Sequence, residues 1–163
     1  TASQVRQDFN CFGGFGQQGY GYNVENLRAS IREILKLDCS HKAIIIGVGN
    51  LGRALMTNFN FGQSGFALAA AFDVKKELQG IQVAGVPVLS MESLQDYVEH
   101  KRPDIAILTL PRQFASQVAA DLCKWGIRGI WNFTGVDLHL DGLEVPVENV
   151  HFSESLMTLS YRI

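Results

Sequence analysis

Cysteine and proline are scarce in this sequence, at three and four residues of 163. Cys11, Cys39 and Cys123 are odd in number and far apart, which excludes a disulfide framework and points to a reducing, cytoplasmic setting. They form no metal-type pair, and none of the four scattered histidines sits in a ligand spacing with another, so no metal site is expected. Charge of one sign is lacking too. Fourteen Lys and Arg against sixteen Asp and Glu leave a formal −2, which gives no chain-wide basic field for nucleic acid but leaves room for a local patch. No apolar run reaches the roughly 20 residues of a membrane span. No signal peptide is read, and a first residue Thr1 rather than Met suits a fragment or processed chain.

Glycine, by contrast, is abundant at 16 residues. With so few prolines, that signals tight turns rather than a flexible linker. A composition of 47% hydrophobic and 18% charged residues rules out a disordered chain. One domain of this size buries roughly two-thirds of its unfolded surface and needs no covalent staple.

Ala2, Val5, Phe9 and Phe12 recur at spacings of three and four, as on one helix face. Gly13, Gly14, Gly16, Gly19 and Gly21 then alternate with Phe15, Tyr20 and Tyr22, a pattern that predicts a hairpin. Asn23 suits a helix cap, and Val24, Leu27, Ile31, Ile34 and Leu35 form the stripe of the helix after it. From Lys42 the periodicity changes. Continuous apolar runs at residues 42–47, 66–72, 104–110 and 127–133, with a short one at 86–89, read as strands buried on both faces. Helical stretches separate them at about 51–59, 91–101 and 111–125, with Pro111 placed at the first helical position of the last and Gly126 as its stop. Alternation of this kind predicts an α/β fold, a Rossmann-like doubly wound parallel sheet. Residues 136–150 read as short strands around the Asp141-Gly142 turn, and an amphipathic helix over about 152–161 closes the chain.

The first strand runs into Gly47, Val48, Gly49, Asn50, Leu51 and Gly52, a GxGxxG pattern between strand and helix. The first glycine permits the turn, the second lets a pyrophosphate approach the backbone, and the third brings helix and strand together. The helix N-terminus adds unpaired amides and the positive end of its dipole. Asp73 closes the next strand 21 residues after Gly52. It suits the ribose hydroxyls and repels a 2′-phosphate, favouring NAD over NADP, although Lys75 and Lys76 weaken that preference. Thr109, Leu110 and Pro111 end the strand expected across the switch point, and Asn132 and Phe133 end the next; both groups also suit plain strand-end turns. A glycine turn in a nucleotide-free α/β domain is the competing reading of the loop itself.

Catalytic chemistry is missing. No Ser/His/Asp, Tyr/Lys or Cys/His constellation is evident, and little chain remains beyond the sheet for a substrate domain. The pattern is that of a cofactor reader rather than an enzyme. The alternatives are the CoA- or nucleotide-binding domain of an acyl-CoA synthetase-type enzyme, and a small NAD-dependent dehydrogenase.

Several segments together resemble the Rex family of NADH-sensing transcriptional repressors. They are Ser3-Gln-Val-Arg6 with Asp8, Gly19-Tyr-Gly-Tyr-Asn-Val24, Gly47 to Leu55, Phe72-Asp73, Gly85-Val-Pro-Val88, Ile105 to Thr109, Gly126 to Ile130 with Asn132-Phe133, and Val147-Glu-Asn-Val150. The resemblance implies a winged-helix DNA-binding domain ahead of a Rossmann domain, in a homodimer whose C-terminal helix crosses to the partner. It implies that NADH closes the dimer and releases operator DNA, with NAD⁺ a weak competitor. On this reading residues 1–22 are the end of the winged helix, 23–40 a linker helix, 41–150 the NAD(H)-binding domain and 151–163 the dimerisation helix. Ser3, Gln4 and Arg6 would face DNA from the recognition helix, and Gln17, Gln18 and Tyr20 from the wing. Phe152 would approach the nicotinamide across the dimer. Gln7, Gln17 and Gln18 stand where the family commonly carries basic residues, so weaker, less salt-dependent DNA binding is expected. Asn58 and His151 stand at two switch positions where the family often has Tyr and Asp, so altered or pH-dependent coupling is expected there.

Overall fold

The structure, a computed structural model, describes residues 16–17, 21–34, 40–138, 140, 142 and 144–163. The expected recognition helix, with Ser3, Gln4 and Arg6, and the wing residues Gln18 and Tyr20 lie outside them. Gly16–Gln17 (β1) and Gly21–Tyr22 (β2) pair antiparallel, with Gly16 opposite Tyr22. This is the hairpin that the glycine–aromatic alternation predicts, and Gln17 lies in its first strand. Val24–Ile34 forms helix α1. Asn23 caps it, its Oδ1 accepting the amides of Glu25 and Asn26 at 3.1 Å each.

The main sheet has seven strands: His41–Ile46 (β3), Phe66–Asp73 (β4), Gln82–Val83 (β5), Val86–Ser90 (β6), Ile105–Leu108 (β7), Gly129–Asn132 (β8) and Val147–Asn149 (β9). They lie in the order β5-β6-β4-β3-β7-β8-β9. Every pairing is parallel except β5 with β6. Without β5, this is the 3-2-1-4-5-6 order of a doubly wound dinucleotide-binding fold. The helices are Asn50–Asn58 (α2), Leu94–Lys101 (α3), Arg112–Lys124 (α4) and Phe152–Arg162 (α5).

Period-2 alternation explains the unbroken apolar runs. Ile44 and Ile46 face one side of β3, where they pack with Phe72, Leu108, Leu94 and Val98 of α3, and Ala115, Ala119 and Leu122 of α4. Ala43 and Ile45 face the other side, with Met56 of α2, Phe61, Val88 and Ile107. A strand covered on both faces cannot alternate polar with apolar, so its residues are apolar throughout.

Three expectations are corrected. Pro111 is the cap before α4 rather than its first helical residue; its ψ of 138° keeps it extended, and the helix starts at Arg112. Strand β5 escaped the sequence reading. It forms a hairpin with β6 over Ala84 and Gly85, both at positive φ (51° and 80°), and an alanine at such a position is not a usual turn signal. Finally, the segment after β8 holds one edge strand, β9, among the described residues, rather than several short ones.

Candidate nucleotide-binding crevice

The chain leaves β3 for α2 on one side of the sheet, while β7 lies on the other side of β3. The carboxyl ends of β3 and β7 therefore flank the switch point, where ligands of open α/β sheets bind. The glycine loop, Asp73 and Thr109 meet here.

The three glycines are required for different reasons. Gly47 adopts φ +100°, and a Cβ there would stand 2.8 Å from the Thr109 carbonyl oxygen. A Cβ on Gly52 would overlap the Gly47 carbonyl oxygen and approach Thr109 Oγ1 to 3.0 Å. Both glycines thus let β3, the loop and β7 close on one another. The Thr109 hydroxyl fastens the same knot, donating to the Gly47 carbonyl at 2.6 Å and lying 3.2 Å from that of Ile46. Gly49 differs: its backbone is extended (φ −76°, ψ −164°), and a Cβ there would meet nothing within 4 Å. The fold does not need this glycine, so the open space above it is what its lack of a side chain preserves.

Gly49 also caps α2, and no side chain supplies a cap hydrogen bond. The first intrahelical bond runs from the Arg53 amide to the Gly49 carbonyl at 2.9 Å, so the amides of Asn50, Leu51 and Gly52 precede it. An anion at this end of the helix would meet their dipoles.

Asp73 is 8% exposed. Its Oδ2 accepts the Val48 amide at 2.6 Å and its Oδ1 the Lys75 amide at 2.8 Å. The carboxylate therefore fastens the glycine loop to the carboxyl end of β4. The sequence predicts only an acid for the ribose hydroxyls; the bond to the Val48 amide spans 25 residues and leaves no local signal. Val48 itself is buried, and its amide is committed to Asp73.

Leu110 is half-buried against the core and Pro111 is exposed, both just beyond Thr109. Asn132 pairs in register with Leu108, which brings it to the same edge, but its side chain is taken up within the chain. Nδ2 donates to the Val136 carbonyl at 2.6 Å and to Asn149 Oδ1 at 2.7 Å, and Oδ1 accepts from Thr134 Oγ1 and N at 2.7 and 3.1 Å. The ring of Phe133 lies between Trp131 and Phe152, at centroid distances of 4.6 and 6.1 Å. Phe152 is 61% exposed. The structure does not join Asn58 and His151. Asn58 is exposed at the end of α2, whereas His151 caps α5 and pairs with Asp137, Nε2 to Oδ1 2.9 Å.

An apolar groove of about 450 Å³ opens elsewhere, on the β7–β8 sheet face beside Phe59 and Phe61, lined by Ile105, Ile107, Trp131 and Val147. It is away from the glycine loop and lacks the amide donors a phosphate needs. Among the described residues, no cluster of three or more His, Cys, Asp or Glu is arranged to hold a metal, and no helix is long and apolar enough to cross a membrane.

The CoA binding domain family matches residues 38–136. That span is the Rossmann unit alone, which all the functional alternatives share. The redox-sensing transcriptional repressor Rex of Caldanaerobacter subterraneus subsp. tengcongensis is 48% identical over 163 residues, 100% of this chain and 72% of that protein. The chain belongs to the Rex family. Rex of Clostridium perfringens is 47% identical over 161 residues, covering 99% of this chain and 76% of that one. Among solved structures, the Rex-family repressor RSP in complex with beta-NAD+ and operator DNA matches with a TM-score of 0.90 at 48% identity, over 99% of this chain and 74% of that one. RSP in complex with beta-NADH matches at 0.85 and 43%, over 99% and 75%. UDP-D-quinovosamine 4-dehydrogenase from Vibrio fischeri, at 15% identity and a TM-score of 0.53, shares the fold alone. Likeness to Rex along the whole chain, hairpin and terminal helix included, separates this protein from the synthetase and dehydrogenase alternatives.

Proposed function

We propose that this chain carries the NADH-reading part of a cytoplasmic, non-enzymatic transcriptional repressor. The whole-chain likeness to Rex repressors carries this reading, and the crevice fits it. Open space at Gly49, the uncapped amides of α2 and a carboxylate 21 residues beyond the loop are what a dinucleotide requires. Residues 41–150 form the sensor, 23–40 the linker to the winged helix ending at 22, and 151–163 the dimerisation helix.

The Gly47–Gly52 loop and the N-terminus of α2 would hold the pyrophosphate, and Asp73 the adenosine ribose. Thr109, Leu110 and Pro111 would line the opposite wall, with Phe133 toward the nicotinamide, Phe152 approaching it across the dimer and Asn132 setting the wall from behind. When bound, the nicotinamide supplies a ring that is charged when oxidised and neutral when reduced. A sensor answers that difference only if its two states bind the ligand with different affinity. Two inter-subunit angles would supply those states, read out on operator DNA by Ser3, Gln4 and Arg6 of the recognition helix and Gln17, Gln18 and Tyr20 of the wing. Exposed Leu156, Met157 and Leu159 on α5 give the second subunit an apolar surface to bury.

Titration of the purified protein with NADH, NAD⁺, NADPH and CoA tests the sensor, and NADH is expected to bind tightest. The operator affinity of the full-length protein should then fall as NADH is added. Tighter binding of CoA than of NADH, or steady NADH oxidation with a small carbonyl substrate, would sink the proposal.

A further inference from the structure

Asp73 closes β4 with both carboxylate oxygens bonded to backbone amides, those of Val48 and Lys75. It is buried, and two amide dipoles partly balance its charge. Beyond it the chain turns at once. The Gln79 side chain donates to the Asp73 carbonyl at 3.3 Å, the Leu78 amide to the Lys75 carbonyl at 3.0 Å, and the Gln79 amide to that of Lys76 at 3.2 Å. Leu78 anchors the turn in the core, while Lys75 and Lys76 are exposed. The two lysines therefore leave from a fixed turn, and the backbone of the first is bonded to the acid.

A third cation comes from α2. Arg53 is exposed, and its Nε donates to the Val48 carbonyl at 3.3 Å. Val48 is thereby held twice, its carbonyl by Arg53 and its amide by Asp73. That bond uses one of the five guanidinium N–H groups and keeps the others beside the glycine loop. Among the described residues, none of Arg53, Lys75 and Lys76 pairs with a carboxylate. Glu77 is the second acid of residues 73–80, and it is exposed in the same turn. Three unpaired cations are thus tied, through Val48 and the turn after β4, to one buried acid.

An acid at the end of this strand disfavours a phosphorylated ribose, and a basic group nearby accommodates one. Here both are present, with Asp73 buried and the three bases in solvent. Each exposed charge pair is weak, up to about a fivefold effect. Three of them acting on a phosphate of nearly two charges offset most of the repulsion from one acid already bonded to two amides.

We propose that Arg53, Lys75 and Lys76 are specificity-determining residues that receive a 2′-phosphate, making NADPH a second ligand of this crevice, bound less tightly than NADH. This rests on the reading that a dinucleotide occupies the crevice.

Paired titrations of the full-length protein with NADH and NADPH, at low and high salt, test the assignment. At low salt NADPH should bind within about tenfold of NADH. The gap should widen as salt is raised, because exposed charges are screened. Lys75→Ala combined with Lys76→Ala should weaken NADPH by at least about fivefold. The same variant should leave NADH affinity and Tm unchanged, since both side chains are exposed. Lys75→Arg combined with Lys76→Arg should keep NADPH binding, and Arg53→Gln should weaken NADPH more than NADH. A wild type that binds NADPH more than about tenfold weaker than NADH at low salt overturns the proposal. So does a double-alanine variant that binds NADPH as the wild type does, or one that loses both cofactors equally and so marks the lysines as structural. No binding of NADH at all overturns the dinucleotide reading, and this proposal with it.

Discussion

Gly49→Ala separates binding from folding in a way that Gly52→Ala cannot. At Gly49 the backbone (φ −76°, ψ −164°) is open to alanine, and the new methyl touches nothing within 4 Å. Alanine is a poorer helix cap than glycine, by somewhat less than about 1 kcal/mol, but it loses less chain entropy on folding, by about 0.4–1 kcal/mol. The two effects nearly cancel. For a chain of this size about 1 kcal/mol moves Tm by roughly 2–4 °C, so Tm of Gly49→Ala should stay within a few degrees of wild type. The methyl nevertheless projects where a pyrophosphate would approach the amides of α2. Forcing an extra carbon into a packed contact costs about 1–3 kcal/mol, and about 2 kcal/mol is roughly a 30-fold loss of NADH affinity. Gly52→Ala reverses the order of effects. Its methyl would overlap the Gly47 carbonyl oxygen with Thr109 behind it, so α2 must move off β3. A loss of about 3 kcal/mol and a fall in Tm of roughly 6–12 °C are expected. Isothermal titration with NADH and calorimetric melting of both variants provide the measurements. Gly49→Ala binding NADH as well as wild type, or melting as early as Gly52→Ala, would refute the division of labour among the glycines.

Asp73→Ala should weaken NADH binding and relax the rejection of NADPH, measured by parallel titrations; equal wild-type affinity for both cofactors would mean that Lys75 or Lys76 overrides the acid. The same variant should lose about 1–3 kcal/mol of stability, because the buried Val48 amide is left without its acceptor. A chain ending at Val150 should sediment as a monomer, having lost the exposed Phe152, Leu156 and Leu159; a stable truncated dimer would place the interface elsewhere. Cys123 is buried in α4, and burial pushes its thiol up from the ordinary range. It should therefore resist alkylation at pH 8 in the native protein and react on unfolding, followed residue by residue by mass spectrometry.

Local rules account for most of the sheet. The apolar runs at Ile44–Ile46 and Ile105–Leu108 have to be strands covered on both faces, and the positive φ of Gly126 (+102°) ends α4 where its position in the sequence says it should. The glycine loop was legible because each of its parts is local: strand, turn, helix start. Asp73 was legible as an acid at the right distance, but its bond to the Val48 amide was not, since that contact spans 25 residues. Strand β5 was hidden for another reason. Two residues carry no periodicity, and its turn uses an alanine where glycine or asparagine is usual.

Periodicity, capping and the strand–glycine–helix grammar depend on neighbours along the chain, and so the order of elements, the α/β class and the place of the crevice follow from residue order alone. Asn132 reads equally as a crevice residue or a strand-end turn; only the approach of β9 and of residues 134–136 makes it a buried side chain with every hydrogen bond filled. His151 read as a histidine at a family switch position; the return of the chain beside the loop after β8 gives it Asp137 as a partner. The Asn132–Asn149 and Asp137–His151 pairings join residues 17 and 14 positions apart across a turn of chain with no period of its own. Hydrogen bonds and ion pairs depend on distance in space, and that distance is set by how the edge strand docks onto the sheet.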